Sequence, residues 1–169
     1  GWWSPDNRHA YFVDVGRGAK AVRVVKWDTQ TGHTQVLFEE TSETFVRLSS
    51  EALDPLVFLP LLDSEELIWY SERSGWAHLY LYDLKTGKIK HSITQGEWPV
   101  RNVLHYDSER RELIVQTAAR DPDISPYYRD ICKVNIDTAV ITPLVSGNLE
   151  YVVNLHSSCK VICSIMAEE

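Results

Sequence analysis

The sequence has few cysteines, and their number and spacing exclude a disulfide framework. An odd count of three occurs in 169 residues: Cys132, Cys159 and Cys163. Disulfide scaffolds instead pair an even number of cysteines within a short chain. The spacing of Cys159 and Cys163 suits a pair of metal ligands, but neither a second cysteine pair nor a histidine cluster accompanies them. We therefore predict small buried thiols in strands, and the cellular compartment stays open.

Long apolar runs and an excess of positive charge are also absent. The longest apolar run, from Val57 to Leu62, is interrupted by Pro60 and is far shorter than the roughly 20 residues of a membrane-spanning helix. No charged and then apolar leader stands at Gly1, so we expect neither a signal peptide nor a transmembrane helix in this chain. Lys and Arg number 17 against 24 Asp and Glu, a net charge of −7, which argues against a nucleic-acid or anionic-membrane surface.

The motifs of common catalytic and cofactor sites are missing as well. There is no Gly-x-Ser-x-Gly pentad, and the stretch Gly16-Arg17-Gly18 lacks the rest of a phosphate-binding loop. The six histidines are scattered singly, without a His-x-x-x-His zinc pair: His9, His33, His78, His91, His105 and His156. We therefore expect no catalytic residue, no metal and no cofactor in this chain.

What the sequence does contain is a repeated phrase, in which a short polar turn leads into an apolar strand. The copies begin at Trp3, Leu62, Tyr106 and, more faintly, Leu155. A second phrase, a turn led by Asp or Asn, interleaves with the first and begins at Trp27, Tyr82 and Val134. The copies recur at roughly 45 to 59 residues, the spacing of β-propeller blades.

One repeat assembles into a four-stranded antiparallel meander, the form of a propeller blade. In the middle copy the strands are Val57–Leu61, Leu67–Tyr70, His78–Tyr82 and Ile89–Thr94. The sequence therefore predicts an all-β fold of about three four-stranded antiparallel blades in an open arc, plus the start of a fourth. The predicted blade cores are about 1–48, 54–98 and 99–148, with an incomplete blade at 149–169. The best helix signal, Ser49–Leu53, ends within about one turn at Pro55.

The turns and aromatic residues of the repeats lead to three further predictions. Gly32 and Gly87 stand where a hairpin favours positive φ. The third copy has Ala139 there, and we expect a different turn because alanine tolerates positive φ poorly. Trp76 and Trp98 each follow a glycine-containing turn, and we expect both rings to be buried between sheets.

Two charged features have competing interpretations. Paired acids could bind an ammonium group or act as acid and base, but we interpret them as solvated loop residues, since adjacent acids on a strand point to opposite faces. They stand at Glu39-Glu40, Glu65-Glu66 and Glu168-Glu169. The long loop from Arg120 to Asp130 mixes prolines, tyrosines and charges, and could either make contacts or pack on its own blade.

Three stretches resemble the N-terminal propeller of the dipeptidyl peptidase IV family, the prolyl-oligopeptidase-like serine exopeptidases. They are Trp2–Asp6, Glu39–Val46 and, most specifically, Trp69–Asp83, which reads Trp-Tyr-Ser-Glu-Arg-Ser-Gly-Trp-Ala-His-Leu-Tyr-Leu-Tyr-Asp. The resemblance fades after about Val153. It implies an eight-bladed propeller that precedes an α/β-hydrolase domain carrying a Ser-Asp-His triad, and that domain is absent here.

The resemblance also limits which site residues can be assigned. The family holds the substrate's free N-terminus with a Glu-Glu pair just upstream of the Trp-Ser-Pro motif, which would precede Gly1. Glu39-Glu40 lies downstream of that motif, so the role is not transferred to it. A family arginine near the substrate falls in the region from Phe45 to Pro55. Arg47 is the only arginine there and is the candidate substrate-binding residue, although no clearly matching motif surrounds it.

The resemblance implies a non-catalytic propeller segment of a dipeptidyl peptidase IV-like enzyme, which removes N-terminal dipeptides after proline or alanine. Its partners would be the hydrolase domain, the remaining blades and, in the parent, peptide substrates. This segment would contact neither nucleic acid nor membrane. We also expect the isolated chain to self-associate through its open blade faces. The alternative is a propeller interaction module without peptidase activity, as in many WD-repeat and kelch-like proteins.

Overall fold

The computed structural model describes residues 1–48, 58–147, 150–155 and 161–166. The strands are β1 (Trp2–Trp3), β2 (His9–Val15), β3 (Ala21–Asp28), β4 (Thr34–Thr41), β5 (Phe58–Leu61), β6 (Glu66–Ser71), β7 (His78–Asp83), β8 (Lys88–Ser92), β9 (Val100–Asp107), β10 (Glu112–Ala118), β11 (Arg129–Asn135), β12 (Ile141–Val145), β13 (Glu150–Leu155) and β14 (Val161–Met166). A single 3-10 turn, Leu62–Ser64, is the one helical element of the described residues. Nowhere in these ranges does a helix reach the length and apolarity needed to cross a membrane.

The strands form three four-stranded antiparallel meanders and one hairpin. Sheet 1 comprises β1 to β4, sheet 2 comprises β5 to β8 and sheet 3 comprises β9 to β12, each in chain order, while β13 pairs with β14. These are the blades that the repeats predict, so the predicted fold class is confirmed. The residue limits of the blades stay a prediction. The candidate helix Ser49–Leu53, residue Cys159, the burial of Cys163 and the pair Glu168-Glu169 lie outside the described part.

Sheet 2 lies at the centre of the core, because both of its faces are covered. Alternate residues of a strand point to opposite faces. Leu67 and Trp69 of β6 pack with the sheet 1 residues Val22 and Val24, in a cluster that also includes Tyr80 and Tyr82 of β7. Their neighbours Ile68, Tyr70, Leu79 and Leu81 pack with Leu113 and Val115 of sheet 3. Both faces of the β7 residues His78–Tyr82 are therefore buried.

The hairpin turns at Gly32, Gly87 and Ala139 have one geometry, so the prediction of a different third turn is wrong. Their φ angles are 75°, 69° and 58°. In each turn the amide of that residue donates to the carbonyl oxygen four residues earlier, at 2.9, 2.8 and 2.9 Å. In the third turn the Asn135 side-chain oxygen also accepts from the backbone N–H and the hydroxyl of Thr138. These bonds hold Ala139 at positive φ, at a strain cost of about 1 kcal/mol.

Gly87 has a second reason to be glycine. A Cβ atom there would lie 2.0 Å from the carbonyl oxygen of Leu37 in β4, whereas one at Gly32 would meet nothing within 4 Å. The β7–β8 turn of sheet 2 therefore sits directly against the backbone of sheet 1. The contact fixes how closely the two sheets approach.

The connections between strands fall at two ends of the sheets. The turn end carries the short turns 4–8, 29–33, 62–65, 84–87, 108–111 and 136–140. The loop end carries the described segments 16–20, 42–48, 72–77, 93–99 and 119–128. Loops of this kind commonly carry binding residues, because a rigid scaffold positions them without restricting their sequence.

Candidate functional site

Arg47 lies at the loop end, on the segment that leaves β4. The backbone N–H of Val46 donates to the Ala19 carbonyl oxygen at 2.7 Å and ties this segment to the β2–β3 loop. Val46 and Leu48 are buried in the cluster that sheet 1 and sheet 2 form together. Because the residues alternate, the Arg47 side chain between them points outward, and it is 43% exposed.

The Arg47 side chain borders a cleft of about 340 Å³ between sheet 1 and sheet 2. Arg47 Nη1 lies 3.4 Å from Glu72 Oε1, which stands on the β6–β7 loop and is 40% exposed. The cleft is lined by Glu40, Thr41, Ser42, Thr44, Phe45, Val46, Arg47, Glu72 and Arg73. The structure thus brings the predicted Arg47 together with Glu72 and Arg73, which the sequence did not single out as site residues.

Glu40 forms the floor of this cleft and corrects the interpretation of the paired acids. Its carboxylate accepts from Trp69 Nε1 at 2.7 Å, from the Ser71 hydroxyl and from Arg73 Nη2 at 2.6 Å. It is therefore a mostly buried strand residue and not a solvated loop residue. Glu39 does point to the opposite face, as predicted, and pairs there with Arg23 at 2.8 Å.

Arg73 is held from both sides. Its guanidinium lies 4.7 Å from the centre of the Tyr80 ring and 5.7 Å from that of Tyr82, a cation–π arrangement. Burial disfavours its charge, but the carboxylate of Glu40 and the Tyr82 phenol outweigh burial and raise the pKa of Arg73. For the Tyr82 hydroxyl, burial acts in the opposite direction and raises the pKa. The floor of the cleft is therefore a fixed ion pair.

A second buried carboxylate, Glu66, joins sheet 2 to sheet 3 at the turn end. Glu66 accepts from Lys90 and, at 2.8 Å, from Arg111 Nη2, and Arg111 also bonds both Asp137 oxygens. Burial alone would raise the pKa of Glu66, but hydrogen bonds from Lys90, Ser64 and Arg111 outweigh it and lower the pKa. The prediction that Glu66 is a solvated loop residue is therefore wrong. The Glu66 carboxylate connects two blades.

The two tryptophan rings that were predicted to be buried differ in their exposure. Trp76 is 40% exposed, so the prediction of a buried ring is wrong; its neighbour Ala77 takes the buried position after the turn at Gly75. Trp98 does pack on the core between sheet 2 and sheet 3. Its ring stands edge-on to His78 at 5.0 Å.

His78 is buried, which its isolated position in the sequence did not indicate. Since a carbonyl oxygen can only accept, Nε2 donates to Gly96 O at 2.9 Å, and Nδ1 then accepts from the Thr94 hydroxyl at 3.0 Å. Thr94 in turn accepts from the Leu79 N–H. Burial lowers the pKa of His78, so the neutral ring is the stable form.

The Arg120–Asp130 loop packs on the chain at both ends, as one of the two interpretations predicts, and binding of a partner by the loop stays a prediction. Its ends pack inward: Arg120 lies 5.3 Å from the centre of the Trp98 ring and donates to Cys132 Sγ at 2.9 Å, and Asp130 is buried. Its tip faces solvent, with Tyr127 88% exposed. Cys132 is the buried thiol that was predicted. The described residues contain no group of three or more His, Cys, Asp or Glu side chains that could hold a metal ion.

Comparison with known proteins places this fold in a family. A sequence model of the dipeptidyl peptidase IV N-terminal region matches residues 1–166. Dipeptidyl peptidase 4 of Arthroderma otae is 41% identical over 76 residues, which cover 45% of this chain and 9% of that protein. Dipeptidyl peptidase 4 of Trichophyton rubrum is 40% identical over the same length, with the same coverage. The chain thus matches about a tenth of the length of these relatives.

Two crystal structures share the fold. A putative dipeptidyl aminopeptidase IV from Bacteroides ovatus superposes with a TM-score of 0.71 at 23% identity, covering 97% of this chain and 25% of that one. Dipeptidyl peptidase 4 of Porphyromonas gingivalis gives a TM-score of 0.66 at 16% identity, covering 89% and 20%. The chain spans a quarter or less of either structure.

Proposed function

Because this chain belongs to the dipeptidyl peptidase IV N-terminal region family, we propose that it is the non-catalytic propeller segment of a serine exopeptidase. The parent enzyme would remove N-terminal dipeptides after proline or alanine. The observation that carries the proposal is the family match over residues 1–166, on a chain whose strands form propeller-type sheets. The site chemistry agrees with a supporting role, since both ring nitrogens of the buried His78 are hydrogen-bonded within the core, to the Thr94 hydroxyl and the Gly96 carbonyl oxygen.

In the parent the segment would form part of the substrate chamber wall and support the α/β-hydrolase domain. A rigid wall is needed to exclude folded proteins, and the ion pairs that join neighbouring sheets supply that rigidity. The Glu40–Arg73 pair, at 2.6 Å, links sheet 1 to sheet 2, and the Glu66–Arg111 pair, at 2.8 Å, links sheet 2 to sheet 3. Both acidic partners are largely buried.

We assign Arg47 as the residue of this segment that contacts the substrate. Its guanidinium is accessible, lies at the loop end and borders a cleft, whereas Arg73 beside it is occupied by Glu40. An arginine in this setting can bind a carboxylate or a peptide carbonyl through two parallel N–H groups. In the full-length enzyme, Arg47→Ala should raise KM and leave kcat nearly unchanged, because the contact would be equal in the ground and transition states.

The outward face of sheet 1 supports the proposal that further blades adjoin this segment. Cross-strand neighbours on that face are Trp3, Ala10 and Trp27 in one row and Phe12, Val25 and Val36 in the next. Four of these residues are large and exposed: Trp3, Phe12, Trp27 and Val36. An apolar sheet face of this kind fits the face of another blade in the parent.

The proposed function is tested by dipeptide release from the full-length protein that contains this chain. Peptides with proline or alanine in the second position should be cut after that residue, and the same peptides with an acetylated N-terminus should not be cut. Product masses identify the bond. Failure to release dipeptides, or equal cleavage of acetylated peptides, would contradict the proposal and favour an interaction module.

A further inference from the structure

The cleft at the loop end holds one ion pair that is much looser than its neighbours. Arg47 and Glu72 meet through a single contact of 3.4 Å, and both side chains are substantially exposed. The pair beside it, Arg73 and Glu40, meets at 2.6 Å and is reinforced by the Trp69 indole. An exposed pair of this length contributes little to stability. A ligand can therefore separate the Arg47 and Glu72 side chains with little loss of folding stability.

The charged side chains that line the cleft have a net charge of zero. Glu40 and Arg73 neutralise each other in the floor, which leaves Arg47 and Glu72 as one positive and one negative group that a ligand can reach. A ligand with a single charge would satisfy one of them and leave the other without its partner. A ligand with a cationic end and an anionic end would satisfy both.

The rest of the lining suits a small amphipathic molecule. The ring of Phe45, which is 55% exposed, offers an apolar surface, and the hydroxyls of Ser42 and Thr44 offer neutral hydrogen bonds. The volume of about 340 Å³ lies at the lower end of the range of small-molecule sites, about 300–1,000 Å³. A dipeptide fits this description better than a longer peptide does.

We propose that this cleft binds free dipeptides as zwitterions, with the carboxylate on Arg47 and the ammonium on Glu72. The inference rests on the proposed function, because the parent reaction releases such dipeptides. It deepens that function by making the Arg47 cleft a site for the product as well as a contact for the substrate. Carboxylate binding through two N–H groups of Arg47 would replace the single Arg47–Glu72 contact.

The test measures binding to this chain alone, by saturation-transfer NMR with three ligands at millimolar concentration. The ligands are Gly-Pro, N-acetyl-Gly-Pro and Gly-Pro amide, which differ only in the charge at either end. Gly-Pro should receive saturation, and each blocked form should receive roughly five- to tenfold less, since each lacks one charge-assisted contact. Absence of a Gly-Pro signal, or equal signals for all three ligands, would overturn the proposal.

Charge-removing variants locate the site. Arg47→Gln and Glu72→Gln alter exposed side chains and should abolish the Gly-Pro signal. The matched control is Arg110→Gln, which breaks an exposed pair with Asp107 at the turn end and should leave the signal unchanged. A signal that survives in both cleft variants, or that is lost in the control, contradicts the assignment. No peptidase domain takes part, so failure here leaves the proposed exopeptidase reaction untouched, and failure of that reaction leaves the binding result standing.

Discussion

The indole nitrogen of Trp69 donates a hydrogen bond to the Glu40 carboxylate across 2.7 Å and so joins sheet 2 to the last strand of sheet 1. Ser71 and Arg73 donate to the same carboxylate, so one acidic group satisfies three donors at the boundary between two blades. Removing it would leave those donors partly buried and without their acceptor.

Glu40→Gln should therefore destabilise the chain by about 2–3 kcal/mol, because a neutral amide cannot satisfy Arg73 as a carboxylate does. The neighbouring Glu39→Gln is the matched control. It removes the same charge from the same strand, but its pair with Arg23 is exposed, and the expected loss is below about 1 kcal/mol. Urea unfolding of both variants measures the difference, and equal losses would contradict the role of Glu40.

The three hairpin turns share one backbone geometry but differ in the residue at positive φ and in its surroundings. Gly32→Ala should cost about 1 kcal/mol from positive φ alone. Gly87→Ala should cost several times more, since its Cβ would collide with the Leu37 carbonyl oxygen. Ala139→Gly relieves the strain and should be close to neutral, because glycine also gains freedom in the unfolded chain. Thermal unfolding ranks the three variants, and equal effects at Gly32 and Gly87 would rule out the close approach of the two sheets.

Most of the scaffold could be predicted from the sequence, because the repeats carry their own turn chemistry and strand pattern. The wrong predictions came from reading residues one at a time. Glu40 and Glu66 looked solvated because their partners, Trp69 and Arg111, lie 29 and 45 residues away in the chain. Ala139 looked incompatible with its turn because its neighbours' hydrogen bonds were not counted.

The candidate site was less predictable than the fold. Arg47 could be named from the family resemblance, but Glu72 gave no local signal. The two meet only because the segment after β4 is tied to the β2–β3 loop and passes the β6–β7 loop of the next sheet. Such contacts depend on how two blades are placed, and no spacing within one repeat encodes them.

Stability should fall as the pH decreases from about 7 to 5, because of His78. Its pKa is lowered in the folded chain, whereas the unfolded chain has an ordinary histidine pKa of about 6.5. The unfolded state therefore binds the proton first, and stability that is present above about pH 6.5 is lost below it. His78→Gln should flatten the dependence of the unfolding midpoint on pH. An unchanged slope in His78→Gln would show that another group controls it.

The isolated chain should self-associate through the outward face of sheet 1. Burying about 200–300 Å² of that face contributes about 5–8 kcal/mol, before association costs that offset much of it. Val36→Lys places a charge in the apolar row and should reduce the apparent mass at high concentration. Val140→Lys changes a valine that is also exposed, in a turn of sheet 3, and should leave the apparent mass unchanged. Light scattering across a concentration series decides, and a strictly monomeric wild-type chain would contradict this prediction.

The most direct test of the non-catalytic role is turnover of a Gly-Pro chromogenic amide, measured in parallel for this chain and for the full-length protein that contains it. The full-length protein should release the chromophore, and the chain alone should release none above buffer, because its sequence contains no Gly-x-Ser-x-Gly nucleophile motif. Turnover by the chain alone that persists through repurification would contradict it.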